Sequence, residues 1–238
     1  MTGVATIPSG NDYTLLFAEG SHRCIRRVSL GSIGSQPTSV YLGVCNDTIM
    51  GSLIGGWAQD ARFTYVSDLH YDGERSTLYA ALYSAIAIID VEGETVSFLQ
   101  LGYHGVRGVS SGEDYILAMI PNRNRIIKIR HGDSDNVREY FIEEAGMNKS
   151  MLEQPMTSVP LRDNLFLVAD SRRVYVYDAD SSKISHICEY SSTVDGKENC
   201  ETLKQANSVV VIHDKIVIEG RRHKIISANF YGECSKYV

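Results

Sequence analysis

Short apolar runs recur along this chain, each followed by a small polar turn and a second run. The clearest instance is Leu15–Leu30, reading LLFAEGSHRCIRRVSL. Looser copies lie at Leu78–Asp90 (LYAALYSAIAIID), Ile116–Ile129 (ILAMIPNRNRIIKI), Leu165–Tyr177 (LFLVADSRRVYVY) and Lys215–Ile226 (KIVIEGRRHKII). Runs of this length bounded by Gly, Asn, Asp and Ser read as strands joined by tight turns. Five copies in one chain make a repeat protein.

Each copy extends into four strands, here a to d. The first comprises Val4–Ile7, Leu15–Glu19, Ile25–Leu30 and Thr38–Leu42. The second comprises Phe63–Leu69, Leu78–Leu82, Ala85–Asp90 and Val96–Leu101, with a hairpin turn over Val91–Glu94. The third comprises Val106–Val109, Tyr115–Met119, Arg125–Arg130 and Val137–Ile142. The fourth comprises Met156–Val159, Leu165–Val168, Val174–Asp178 and Ile184–Cys188. The fifth comprises Ser208–Ile212, Lys215–Glu219, Lys224–Ala228 and Cys234–Val238. Three stretches lack strand character, 44–60, 144–154 and 190–205, and each joins strand d of one copy to strand a of the next. A single helical turn is the most that Met147–Gln154 or Asn199–Gln205 would form.

A lone four-stranded sheet cannot bury both its apolar faces, so such units stack around an axis. The b strands (LLFA, LYAAL, ILAMI, LFLV, IVI) are near-continuous apolar runs, as strands covered on both faces are. The expected fold is an all-β, single β-propeller of four-stranded antiparallel blades over residues 1–238, with five blades and six as the alternative. A β-sandwich and an open solenoid are the competing architectures.

The segment LLFAEGSHRCIRRV at Leu15–Val28 resembles the NHL-repeat family, whose pattern sets an LYVAD-like strand before a short turn and an HRIRRV-like strand. LFLVADSRRVYVY at Leu165–Tyr177 is similar, and GGWAQDARF at Gly55–Phe63 resembles the family's entry to a blade. The second copy departs most, since Tyr83-Ser84-Ala85 lacks the polar, basic turn. The resemblance implies blade register. It also implies that acids ending the b strands (Glu19, Asp170, Glu219) brace the turn that follows. It implies no reaction.

Composition narrows the function classes. With 23 basic and 29 acidic side chains the net charge is -6, which disfavours general nucleic-acid binding. No stretch approaches the roughly 18 apolar residues of a spanning helix, so membrane insertion is not expected. The N-terminal MTGVATIPSG has neither a basic start nor a long apolar run, so it does not read as a signal peptide. The five cysteines, at 24, 45, 188, 200 and 234, include no C-x-x-C pair, which argues against a zinc site. Cys188 and Cys200 could close a short disulfide; several buried thiols in a reducing compartment are the equal alternative. Sequons at Asn46-Asp47-Thr48 and Asn148-Lys149-Ser150 lean weakly towards a secreted protein or ectodomain, and the compartment stays open.

In a propeller the b–c turns and the d–a linkers share a face. That face would collect Arg23, Arg123, Arg125, Arg172, Arg173, Arg221 and Arg222 beside the long linkers. Loops on a rigid scaffold are where binding resides, and a cationic ring suits an acidic protein segment. These arginines are equally the repeat's ordinary turn residues, solvated or paired with neighbouring carboxylates. Trp57, the only tryptophan, is the apolar candidate, either as an exposed anchor or packed between blades. The expected function is a non-enzymatic protein-interaction module without cofactor, metal or catalytic residues. One alternative is a metal-dependent hydrolase or lyase with its site in the central channel, towards which His70 and His104 could point. RNA recognition is the other. The sequence has no HExxH, GxSxG or Walker-type loop.

Overall fold

The computed structural model describes residues 3–10, 12–30, 37–45, 53–131, 137–140, 153–171, 173–189, 206–212, 215–220 and 224–229. The described chain is almost entirely β, arranged as antiparallel meanders. The first comprises β1 (Val4–Ser9), β2 (Asp12–Glu19), β3 (Cys24–Ser29) and β4 (Ser39–Leu42), paired in chain order. The second comprises β6 (Val66–Asp72), β7 (Thr77–Leu82), β8 (Ala85–Asp90) and β9 (Thr95–Gln100). A two-residue strand, β5 (Gly56–Trp57), adds to the outer edge of that sheet against β9. The stretch 44–60, expected to carry no strand, therefore holds one, and Ile54 also bridges to Arg62.

The third meander is β10 (Gly108–Ser111), β11 (Tyr115–Ile120), β12 (Arg125–Arg130) and β13 (Val137–Tyr140). The fourth is β14 (Thr157–Arg162), β15 (Leu165–Ala169), β16 (Arg173–Asp178) and β17 (Lys183–Glu189). The last described sheet has β18 (Ala206–Ile212), β19 (Lys215–Gly220) and β20 (Lys224–Asn229). The expected strand at Cys234–Val238, both helical turns and both sequons fall wholly or mostly outside the described residues. The chain forms two compact units, 1–111 and 112–238, and passes from one to the other in the β10–β11 hairpin.

The second strand of a meander is flanked by two others and covered on both faces, which is why the b runs are apolar throughout. Along β7 and β11 every residue after the first is buried. In the first unit Leu16, Ile25 and Leu42 of one sheet share a core with Leu69, Leu78 and Ile89 of the next. Each fully buried aliphatic side chain contributes about 2 kcal/mol to that packing. The first strands lie close together in this unit. A Cβ on Gly3, just ahead of β1, would come within 2.5 Å of the Asp68 Cα on β6, so only glycine allows this approach. On the other side of β6, the Val109 amide of β10 donates to the Asp68 carboxylate at 3.1 Å. In the second unit Leu117, Met119, Phe166, Tyr175 and Tyr177 form a separate core cluster. The alternation Val174-Tyr175-Val176-Tyr177 suggests a strand near the rim, yet both tyrosines are fully buried.

Candidate functional site

The first b–c turn starts where β2 ends at Glu19. A short 3₁₀ turn, Gly20–His22, follows, and Arg23 closes it in the left-handed conformation (φ 60°). Glu19 accepts a hydrogen bond from Arg26 Nε at 2.8 Å, and His22 Nδ1 lies 3.2 Å from the same oxygen. The Arg26 hydrogen bond leads in holding the Glu19 carboxyl below its usual pKa. The brace expected of a b-strand acid is therefore present. The linker entering β6 rests on this turn: a Cβ on Gly20 would meet the Tyr65 ring and the Val66 carbonyl at 2.8 Å.

The outgoing linker is tied to the same turn covalently, because Cys24 is disulfide-bonded to Cys45. Sequence reading weighed only the Cys188–Cys200 pair, and Cys200 lies outside the described residues. The bond closes a loop with a sequence separation of 21. Such a loop restrains the unfolded chain by about 3 kcal/mol in the loop-entropy account. Cys45→Ser, compared with the oxidised wild type by urea unfolding, is expected to lose about that much. A loss under about 1 kcal/mol would mean that the linker is held without the bond.

The second turn, Tyr83–Ser84, replaces cations with an aromatic stack. The Tyr83 carbonyl accepts from the Gly105 amide at 2.6 Å and the Val106 amide at 3.3 Å. Its ring stacks on His104 at 5.4 Å, and Tyr83 is 54% exposed. His104, one of the two histidines that could point towards the channel, stacks on this turn from the following linker. Tyr65 is also exposed, and the pairing of Val66 with Leu82 sets it at the same end of the second sheet as Tyr83, with its ring against the Gly20 turn. Sequence reading missed both tyrosines as binding candidates. Its signal was available: an aromatic at a b–c turn and a second ring in the linker behind it.

The same junction recurs in the second unit. There the turn Pro121–Arg123 is followed by Asn124 at φ 53°. Asn124 Oδ1 accepts from the Gln154 amide of the next linker at 2.9 Å. Arg123 is exposed and Arg125 half-buried. After β15, Asp170 is fully buried and accepts from the Tyr175 hydroxyl at 2.5 Å and the Glu153 amide at 3.1 Å. The Glu153 carbonyl in turn accepts from the Ser171 amide at 2.9 Å and from Ser171 Oγ at 2.6 Å. Arg173 begins β16, where only its backbone is described, and Arg172, Arg221 and Arg222 lie outside the described residues. In each unit a b–c turn thus packs against a neighbouring linker.

Trp57 is not part of this arrangement. Its pairing with Thr95 sets it at the c–d end of the second sheet, opposite the Tyr83–Ser84 turn. It is 63% exposed and does not pack between blades.

The channel alternative directs attention to β6. Asp68 Oδ1 accepts from the Leu69 amide at 3.0 Å and Oδ2 from the Val109 amide at 3.1 Å. Burial, countered in part by these two amides and by Arg107, pushes its pKa up to about 7. Burial likewise lowers His70 to about 4, against the pull of Asp72 and a Ser111 backbone hydrogen bond. Asp72 accepts from Ser111 Oγ at 2.7 Å and from Arg75 Nη1 at 3.1 Å. Both aspartates are thus spent on fastening strands, which does not favour a reaction centre. At the opposite hairpin end of the second unit, Asn164 Nδ2 donates to Asp114 at 2.9 Å and Asp180 at 3.1 Å. That arrangement is also a brace between turns.

No protein-family model matches this sequence, and no curated protein sequence matches it either. Solved structures do. A chain of a nidogen/laminin complex aligns with a TM-score of 0.62 at 13% identity, covering 91% of this chain and 72% of that one. Streptogramin B lyase aligns at 0.58 with 12% identity, over 98% of this chain and 69% of the lyase. A computationally designed protein, Ika8, aligns at 0.53 with 10% identity and 96% of this chain covered; the present chain spans 58% of its length. Together with the four-stranded antiparallel sheets, these likenesses define the class: the fold is a β-propeller. Among the described residues no helix is long and apolar enough to cross a membrane.

Proposed function

We propose that this chain is an NHL-like propeller domain spanning 1–238, working as a non-enzymatic protein-interaction module whose b–c turns and linkers dock an acidic partner segment. The observation that carries this reading is the exposure of Tyr65 and Tyr83 at one end of the first unit, where Tyr65 lies against the turn that Arg23 closes. Tyrosine and arginine presented together on a rigid scaffold are the residue types that dominate protein interfaces. Arg123 and Arg125 offer cationic groups in the second unit, and Arg172, Arg173, Arg221 and Arg222 hold the corresponding repeat positions in the sequence. The likeness to a chain within a nidogen/laminin complex supports a protein partner. Trp57, on a different edge, would be a separate contact rather than part of this one.

Selection of peptides from a displayed random library on the purified chain tests this. The enriched binders are expected to be acidic, to weaken with rising salt, and to lose at least about tenfold affinity on Tyr83→Ala or Arg23→Glu. Binders that ignore both substitutions would reject this docking surface.

A further inference from the structure

We infer that Glu19, Cys24 and Cys45 form a zinc site that exists only when the Cys24–Cys45 disulfide is reduced. The carboxylate oxygen and the two sulfurs all lie within 4.8 Å of one another. Among the described residues this is the one such group of three metal-binding side chains. The fold assembles it. Glu19 ends β2, and Cys24 opens β3 directly across from it in the strand register. β4 then returns along β3 to Leu42, opposite Ile25. Gly43, at φ 84°, turns the linker where a side chain would strike the Phe63 ring at 2.7 Å, and two residues later the linker delivers Cys45.

The donor set selects the ion. Two thiolates favour zinc over magnesium or calcium, and a carboxylate is a regular third ligand for it. The charges also close. Two thiolates and a carboxylate carry three negative charges against two positive on the ion. The remaining negative charge is offset by Arg26, whose Nε sits 2.8 Å from Glu19 Oε2. Both described contacts of Glu19 fall on Oε2, so Oε1 can face the metal. Water fills the fourth position, since His22, although beside Glu19, is not among the side chains gathered with both sulfurs. The absence of a C-x-x-C pair does not matter, because the sheet register brings the two cysteines together.

The two states exchange by ordinary thiol chemistry. A dithiol is oxidised to its own disulfide, or a phosphine with one water to its phosphine oxide, as the Cys24–Cys45 bond breaks and both sulfurs take up protons to become thiols. Zinc then displaces their two protons. Hydrogen peroxide takes two electrons from the thiolate pair and two protons from solvent, leaves as two waters, and the S–S bond re-forms with release of the ion.

The test uses the full chain carrying Cys188→Ser, Cys200→Ser and Cys234→Ser, so that no other thiol can answer. After phosphine reduction, one equivalent of zinc is expected to bind in competition with a chromophoric chelator. Cobalt(II) should give the thiolate charge-transfer absorption. Glu19→Gln, which keeps both thiols, should weaken binding at least about tenfold, and Cys45→Ser should abolish the thiolate band. Peroxide should expel the metal. Absence of stoichiometric zinc binding by the reduced chain would overturn the site, as would Glu19→Gln binding as tightly as its parent. Glu19→Gln is read independently of whether Cys45→Ser folds.

Discussion

Asp170→Ala is expected to destabilise the second unit by about 2–4 kcal/mol, the cost of withdrawing one acceptor from two hydrogen-bond donors. For a chain of this length that corresponds to a fall in melting temperature of about 10 °C. Asp170 is fully buried, and its carboxylate takes the Tyr175 hydroxyl at 2.5 Å and the Glu153 amide at 3.1 Å. One side chain therefore fixes the end of β15, a tyrosine in the neighbouring β16, and the linker that runs into β14. Removing it withdraws an acceptor from one buried and one part-buried donor at once and leaves a void. Tyr175→Phe withdraws only one donor and fills the same space, so it should cost about 1–2 kcal/mol. Asp170→Asn keeps one carbonyl oxygen and should fall between the two. Urea unfolding of the three variants gives the order directly. If Asp170→Ala costs no more than Tyr175→Phe, the carboxylate does not hold the linker and the turn is organised by packing alone.

This brace was legible in the sequence because a b-strand acid at the end of LFLVAD is a local pattern. So were most strands. Apolar runs and their punctuation by Gly, Asn, Asp and Ser are decided within a few residues, and the observed β2, β7, β8, β11, β12 and β15 lie close to where those signals put them. The errors came where an apolar residue serves the core without being in a strand. The apolar pattern starts a strand at Phe63, but Phe63 is a buried linker residue and β6 begins only at Val66. Two-residue β5 carries no periodicity at all, and its existence depends on the free edge of β9.

The candidate site was half legible for the same reason. Arg23, Arg123 and Arg125 sit at b–c turns as their positions in the repeat require. Tyr83 was passed over because its turn departs from the basic pattern. What makes it a candidate is exposure together with the stack on His104, and these depend on the linker folding back 21 residues later (104 against 83). The Cys24–Cys45 pair was invisible to spacing. Nothing between the two residues marks them as neighbours. The register of β2 on β3 and of β3 on β4 does so, and only in three dimensions. Cys188 and Cys200 drew attention because they flank one loop, a criterion of sequence distance that a meander does not respect.

Asp68→Asn is expected to turn a nearly flat pH profile of stability into a rising one, because it removes one of two opposed titrations on the same strand. Asp68 has its pKa pushed up from 3.8 to about 7, chiefly by burial. The folded chain thus holds a proton that the unfolded chain has already released. That contribution is complete below about pH 4 and is lost as pH rises through 7. His70, two residues on, is shifted the other way, from 6.5 to about 4, again chiefly by burial. Its contribution is complete above about pH 6.5 and is lost as pH falls towards 4. Between about pH 4 and 6.5 the two slopes oppose each other, each at most about 1 kcal/mol per pH unit and reduced by the partial exposure of both side chains. Asp72 titrates below this window: burial alone would raise it, but Ser111 and Arg75 outweigh that and hold its pKa under 3.8. In Asp68→Asn only the histidine of this pair remains, so stability measured by urea should climb by about 1–2 kcal/mol from pH 4 to 6.5. His70→Gln should do the reverse, losing stability from pH 4 to 7 as Asp68 is forced to ionise between packed strands. Parallel profiles for both variants and the wild type would mean that neither group is desolvated in the folded chain, and that β6 meets β1 and β10 through a wetter seam than its hydrogen bonds imply.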